Sequence, residues 1–255
     1  MDRRWNFLFI IPLLTALLAF FLSEQILFTA IGFVIGYLIM QGLRHLLLPP
    51  YLRSAVRQFR AGNLEEVLAL TDEAIAAHPE RWEPYYLRAL TYFALSELGA
   101  AERDVREAIS LKPDIDSNYV TLGQVLHSQK RLDEAREAFA TAVQLRSREA
   151  TNHYHLGATS FHLDDCATAI PHLELATKLG ISDAQLKLLA YYYLGRCLER
   201  EGEDEAAAIA YAAMQRNAKA LPDLKRDSQS VASYPALSLL KKDIAAIEKR
   251  MRPAP

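Results

Sequence analysis

The sequence predicts an all-α protein with three parts: an N-terminal transmembrane helical hairpin, an α-solenoid of about five helix pairs, and a C-terminal helix that caps it. Three observations predict this. Two long apolar runs open the chain with three polar residues between them, several residue types then recur at a spacing of 34, and one amphipathic pattern closes the sequence.

The formal charge of −2 on 255 residues gives no whole-chain attraction for nucleic acid. Charge is unevenly placed, however. Between Arg4 and Arg44 the only charged residue is Glu24, whereas from Arg53 onward both signs recur every few positions. An apolar segment, 1–45, therefore precedes a charged part large enough for one domain core.

The two apolar runs, 5–22 and 26–43, are equally long. At 1.5 Å per residue a helix of that length covers about 27 Å, close to the roughly 30 Å hydrocarbon core. Lipid offers no partner to unpaired backbone groups, so both runs must be helical, and the turn between them falls on Ser23, Glu24 and Gln25. A single unbroken helix would bury Glu24 near the bilayer centre. A cleaved signal peptide after Arg3 and Arg4 is disfavoured, because no small-x-small site ends the first run and a second spanning run follows at once.

Arg3 and Arg4 lie before the hairpin and Arg44, Arg53, Arg57 and Arg60 after it, with no Lys or Arg in the turn. The positive-inside bias then places both termini and the repeats in the cytoplasm, and the expected location is a bacterial plasma membrane. Gly32 and Gly36, in IGFVIGY, let another helix approach closely. That helix is either the first run or one from another chain, the latter giving a homo-oligomer through the hairpin.

Beyond the hairpin, Ala74, Ala108, Ala142 and Ala176 follow one another at a single fixed interval, and so do Ala101, Ala135 and Ala169. The same interval separates Pro79 from Pro113, Tyr85 from Tyr119, Leu122 from Leu156, and Gly123 from Gly157. Small residues such as Gly123 and Ala135 let two helices touch, while Leu122 and Phe139 fill the space around that contact. In LDEAREAFATAVQL, residues 132–145, Leu132, Ala135, Phe139 and Ala142 fall on one helical face. Pro79 and Pro113 then stop the second helices of their pairs.

This pattern resembles the tetratricopeptide repeat, a pair of antiparallel helices of this same period that stacks into a right-handed solenoid; residues 116–149 carry the match best. Five units are expected, at 48–81, 82–115, 116–149, 150–183 and 188–221. The last is displaced by four positions assigned to a turn, LGISDAQL, residues 179–186. Leu46, Leu47 and Leu48 are expected to cover the face of the atypical first unit.

Residues 222–255 are read as a polar linker, DLKRDSQSVAS, an amphipathic helix over about 235–251, and a tail. Leu237, Leu240, Ile244, Ile247 and Met251 make that helix's apolar stripe, and Lys241, Lys242, Lys249 and Arg250 its basic side. It is expected to cap the last repeat; lying on anionic lipid is the alternative.

No catalytic constellation is found: the sequence has no Gly-rich phosphate loop, no H-E-x-x-H and no C-x-x-C. His153, His155 and His162 with Cys166 are a weak metal set, since residues two apart point to different helix faces. No metal, cofactor or enzymatic activity is expected. Cys166 and Cys197 fall on neighbouring helices, but a reducing compartment argues against pairing them.

The resemblance implies a groove lined by first helices that binds a protein or peptide. It places Tyr86, Leu90, Phe93, Gln124, His127, Tyr154, Ala158, Phe161, Tyr192 and Arg196 there, a set rich in aromatic anchors, some of which the stacking of repeats or the C-terminal helix would bury. The carboxylate clamp of the chaperone-binding members is not expected, because Leu52, Val56 and Leu87 hold its places. The sequence therefore points to a membrane-anchored interaction scaffold in contact with the lipid bilayer and a protein partner. A subunit of a membrane complex that contacts its partners through the hairpin is the alternative.

Overall fold

The computed structural model describes residues 50–230 and 237–251. The runs 5–22 and 26–43, with Gly32 and Gly36, lie outside the described residues, as do Leu46, Leu47 and Leu48. Among the described residues no helix is long and apolar enough to cross a membrane. The chain divides into two compact units, 1–57 and 58–255. Of the first, only residues 50–57 are described, within helix α1 (Pro50–Ala61).

The second unit runs through α2 (Leu64–Ala77), α3 (Trp82–Ala94), α4 (Leu98–Leu111), α5 (Asp116–Ser128), α6 (Leu132–Leu145), α7 (Ala150–His162), α8 (Cys166–Leu179), α9 (Ala184–Arg200) and α10 (Asp204–Arg216). A 3₁₀ turn, Ala218–Ala220, then leads to α11 (Leu221–Ser230) and α12 (Leu237–Met251). Each helix from α2 to α10 packs on the next, and α3, α5, α7 and α9 also touch in succession along one face. This is an all-helical solenoid of stacked pairs.

What fits each pair together is a size match between facing positions of its two helices. A Cβ on Gly123 would lie 2.6 Å from the Phe139 ring, one on Gly157 would lie 2.7 Å from Leu173, and one on Gly195 would lie 2.6 Å from the Tyr211 ring. At the corresponding place in α3 stands Ala89, and its opposite number is the smaller Val105; both are fully buried. The first helix thus gives up side-chain volume where the second one adds it, which keeps the interior dense without strain.

The turns inside the pairs repeat as closely as the helices do. Gly62, Ser96, Lys130 and Asp164, each one repeat beyond the last, all have positive φ, between 59° and 81°, and Gly202 takes the same role in the final pair. His78 and Lys112, which precede Pro79 and Pro113, have φ of −142° and −148°. That is the extended backbone a following proline imposes.

Two expectations about connections are corrected. The insertion assigned to the turn 179–186 lies in a helix: the connectors 112–115, 146–149 and 180–183 have equal length, while α9 has 17 residues against 13 in α7. Gly180 ends α8 in the left-handed conformation, and Asp183 at once caps α9, its carboxylate accepting from the backbone N–H of Gln185 and Leu186. The second correction concerns DLKRDSQSVAS, most of which continues α11 instead of forming a linker. Leu224 and Ser228 hold it, one turn apart and both buried.

Candidate functional site

The helices α3, α5, α7 and α9 expose one common face, and α11 and α12 fold back onto part of it. Between them lies a cavity of about 380 Å³. Of the residues expected on the groove, Phe93, Gln124, His127, Tyr154 and Ala158 line this cavity, and so do several residues the sequence did not single out as groove residues, notably His155, His162 and Tyr193. Leu224 and Ser228 from α11 and Leu240 from α12 close the far side.

The other predicted groove residues are placed differently. Phe161 and Tyr192 belong to the core that joins α7, α9 and α12, Tyr192 being only 1% exposed. Phe161 packs on Tyr193 with ring centroids 4.7 Å apart, beneath the Arg200 guanidinium. Arg196 is half-buried and donates to the Tyr192 hydroxyl at 3.1 Å. Tyr86 and Leu90 are half-buried on α3 outside the cavity wall, Tyr86 against Trp82. The open part of the groove therefore centres on α3, α5 and α7.

Burial gives the polar residues of the groove defined states. His155 stacks flat on Phe139, with centroids 5.0 Å apart, and its Nε2 lies 3.3 Å from the Gln124 amide. His127 Nε2 lies 3.3 Å from His162 Nδ1, and His162 Nε2 lies 2.9 Å from Oδ2 of Asp243. The Tyr193 hydroxyl donates to that same oxygen at 3.0 Å. Desolvation pushes the His127 and His155 imidazoles down to about 4, so both are neutral near pH 7. Burial, with the Asp243 carboxylate close by, raises the Tyr193 phenol well above its ordinary value.

α12 is therefore seated in the groove by a buried carboxylate. Ile244 and Ile247 enter the core, while Arg250 pairs with Glu199 at 2.8 Å and covers the Tyr211 ring. This agrees with a capping role, but the helix also covers the groove face, reaching back to α7 through His162.

The weak metal set is not assembled. His153 is buried between Ser147 and His172, with its Nδ1 2.9 Å from His172 Nδ1, whereas His155 and His162 line the cavity. Among the described residues no group of three or more His, Cys, Asp or Glu is placed to hold a metal. Cys166 and Cys197 are joined in a disulfide with their Cα atoms 5.1 Å apart, which corrects the expectation that they stay apart. Adjoining helices α8 and α9 bring them within bridging distance.

Models of the tetratricopeptide repeat match residues 83–115, 117–148 and 161–222. The chain carries tetratricopeptide repeats. DnaJ homolog subfamily C member 3 from Gallus gallus is 27% identical over 162 residues, covering 58% of this chain and 31% of the relative. The chain thus spans about a third of that relative's length. Among solved structures, MamA from Desulfovibrio magneticus RS-1 superposes with a TM-score of 0.58 at 20% identity, covering 67% of this chain and 94% of the MamA chain. YrrB, a TPR protein with an unusual peptide-binding site, gives 0.54 at 21% identity, covering 70% of this chain and 92% of YrrB. These likenesses establish the tetratricopeptide solenoid fold.

Proposed function

We propose that this tetratricopeptide-repeat chain is a membrane-anchored interaction scaffold without catalysis of its own, and that the α3–α5–α7 part of its groove takes a segment of a partner protein. One observation carries the reading: between the first helices and α11–α12 lies a cavity of about 380 Å³ lined by aromatic, leucine, histidine and amide side chains, a composition suited to burying an anchor residue and fixing its polar edge. YrrB offers an analogy, since it is described as having a peptide-binding site on the same fold. The apolar runs 5–22 and 26–43 support a bilayer hairpin. Tethering the groove there raises its effective concentration toward membrane-bound partners and turns a weak contact into a persistent one.

The test is co-purification of the full chain from detergent-solubilised membranes. Substituting Phe93→Ala together with Gln124→Ala should remove the partner recovered with the wild type while leaving the circular dichroism unchanged. Equal recovery with the double variant contradicts the groove.

The flanking arginines support a cytoplasmic placement of the repeats. The Cys166–Cys197 disulfide favours a second reading, with the repeats on an oxidising face, since such bonds persist in oxidising compartments. Quenching cells in acid and then labelling with a maleimide in denaturant, since both cysteines are buried in the fold, separates the two. Two free cysteines accord with the cytoplasm, and no labelling before reduction accords with the opposite side.

A further inference from the structure

Asp243 is the feature of α12 that capping does not explain. It stands among Leu240, Ile244 and Ile247 on the helix and is only 6% exposed. A carboxylate is among the costliest groups to place in an apolar stripe, because it gives up its hydration. A cap needs none there. The groove nevertheless meets it with two donors on one oxygen, His162 Nε2 at 2.9 Å and the Tyr193 hydroxyl at 3.0 Å.

The hydrogen positions follow from what each group can do. A carboxylate accepts only, so His162 carries its hydrogen on Nε2. On its other side His162 Nδ1 lies 3.3 Å from His127 Nε2, so one of the two nitrogens donates to the other. Asp243, His162 and His127 form a connected chain whose last member is kept neutral by burial. Tyr193 is itself buried and belongs to the core. Both donors sit on α7 and α9, helices fixed by repeat packing, so the site is a part of the solenoid wall and is preorganised. α12 leaves the groove only partly filled, since Leu240 lines a cavity that Phe93 on α3 lines as well.

We propose that His162 and Tyr193 form a carboxylate-receiving site, that α12 occupies it as a tethered stand-in, and that the partner segment is an amphipathic helix bearing an aspartate or glutamate within its apolar stripe. This rests on the reading above that the groove takes a partner segment, and it supplies that segment's chemistry. The partner enters beside Phe93 and Gln124 and displaces α12 by offering its own acid to the same two donors. An occupant joined to the chain competes at high effective concentration, so only a partner that is also concentrated, as at a membrane, prevails.

The experiment uses the full chain with Ile244→Asp and Ile247→Asp, which keep α12 out of the groove, and a fluorescent peptide of residues 237–251. Anisotropy should show uptake of the peptide by this variant and little by the wild type. A peptide carrying Asp243→Asn, or adding His162→Ala to the protein, should weaken uptake by about tenfold or more, as loss of a buried charge-assisted hydrogen bond does. If the variant keeps its circular dichroism but takes up neither peptide, the groove reading itself fails. If it takes up both peptides alike, that reading stands and the carboxylate site is overturned. A second measurement does not depend on how that variant folds. In the full chain with the single change Asp243→Asn, amide exchange in α12 should quicken by about tenfold while α5 to α8 keep their protection, and unchanged exchange in α12 overturns the proposal.

Discussion

The Phe139 ring lies across Gly123, close enough that a single added methyl group would come within 2.6 Å of it. Phe139 is 1% exposed, held between Gly123 and the stacked His155 ring. Gly123→Ala should therefore destabilise the protein by about 1–3 kcal/mol, the usual cost of overpacking, read as a lower urea midpoint. Adding Phe139→Val reproduces the Ala89–Val105 pairing and should restore part of the loss. Gly99→Ala is the control: the nearest atom there is 4.0 Å away, and the change should be neutral or stabilise by up to about 1 kcal/mol.

Arg88 joins three helices. Its guanidinium pairs with Asp104 through two hydrogen bonds of 2.6 and 2.9 Å and reaches Asp72 at 2.5 Å. The Asp104 contact above all raises its own pKa further still. Arg88→Ala strands the buried Asp104 carboxylate and should cost about 2–4 kcal/mol. Arg88→Lys should recover only part of this, because an ammonium cannot form the paired bonds.

Ser96 and Lys130 hold positive φ, 65° and 63°, where the equivalent turns one repeat before Ser96 and near the end of the array use Gly62 and Gly202. Lys130→Gly should raise stability by up to about 1 kcal/mol, since a residue with a side chain is strained in this conformation. A fall in the urea midpoint would show that Lys130 makes a compensating contact.

Stability should decline on mild acidification. His127 and His155 have pKa values of about 4 in the fold against 6.5 when exposed, and His172 is also lowered, in each case chiefly by desolvation. The unfolded chain therefore binds more protons between pH 6.5 and about 4, so stability is full above that window and falls as pH drops through it. Glu102, Glu134 and Glu199 have folded pKa values below 4.5, so their loss comes later. Urea midpoints should be lower at pH 5 than at pH 7.5, by an amount that shrinks when His127 and His155 are both changed to Gln.

The helix pairs were legible because each contact that defines them lies within one repeat and recurs in the next, so Gly123, Phe139 and Ala142 announce one another. The extended α9 was not, because Gly180, Ser182 and Asp183 read as turn formers whether the helix begins at Ala184 or one turn later. α11 was missed because Leu221 and Leu224 are its only leucines, and the rest of its sequence, PDLKRDSQS apart from Leu224, is polar or proline and leaves almost no apolar period. Burial of some groove residues under the C-terminal helix was weighed from the sequence, but the contact that seats that helix was beyond reach for a different reason. His162 and Asp243 are separated by 81 residues, and no repeat relates them. The nearness of Cys166 and Cys197 was legible, and an inference about compartment argued it away.

Everything proposed for function depends on a partner protein docking on the α3–α5–α7 face. A photo-crosslinking amino acid placed at position 93 in the full chain and irradiated in intact membranes probes that docking at the cavity wall. The same group at position 209, where Ile209 on α10 is 70% exposed, serves as the comparison. One discrete adduct is expected from position 93, abolished by Gln124→Ala, and none from position 209. Adducts from position 209 alone, or an equal pattern from both positions, would show that the partner docks elsewhere.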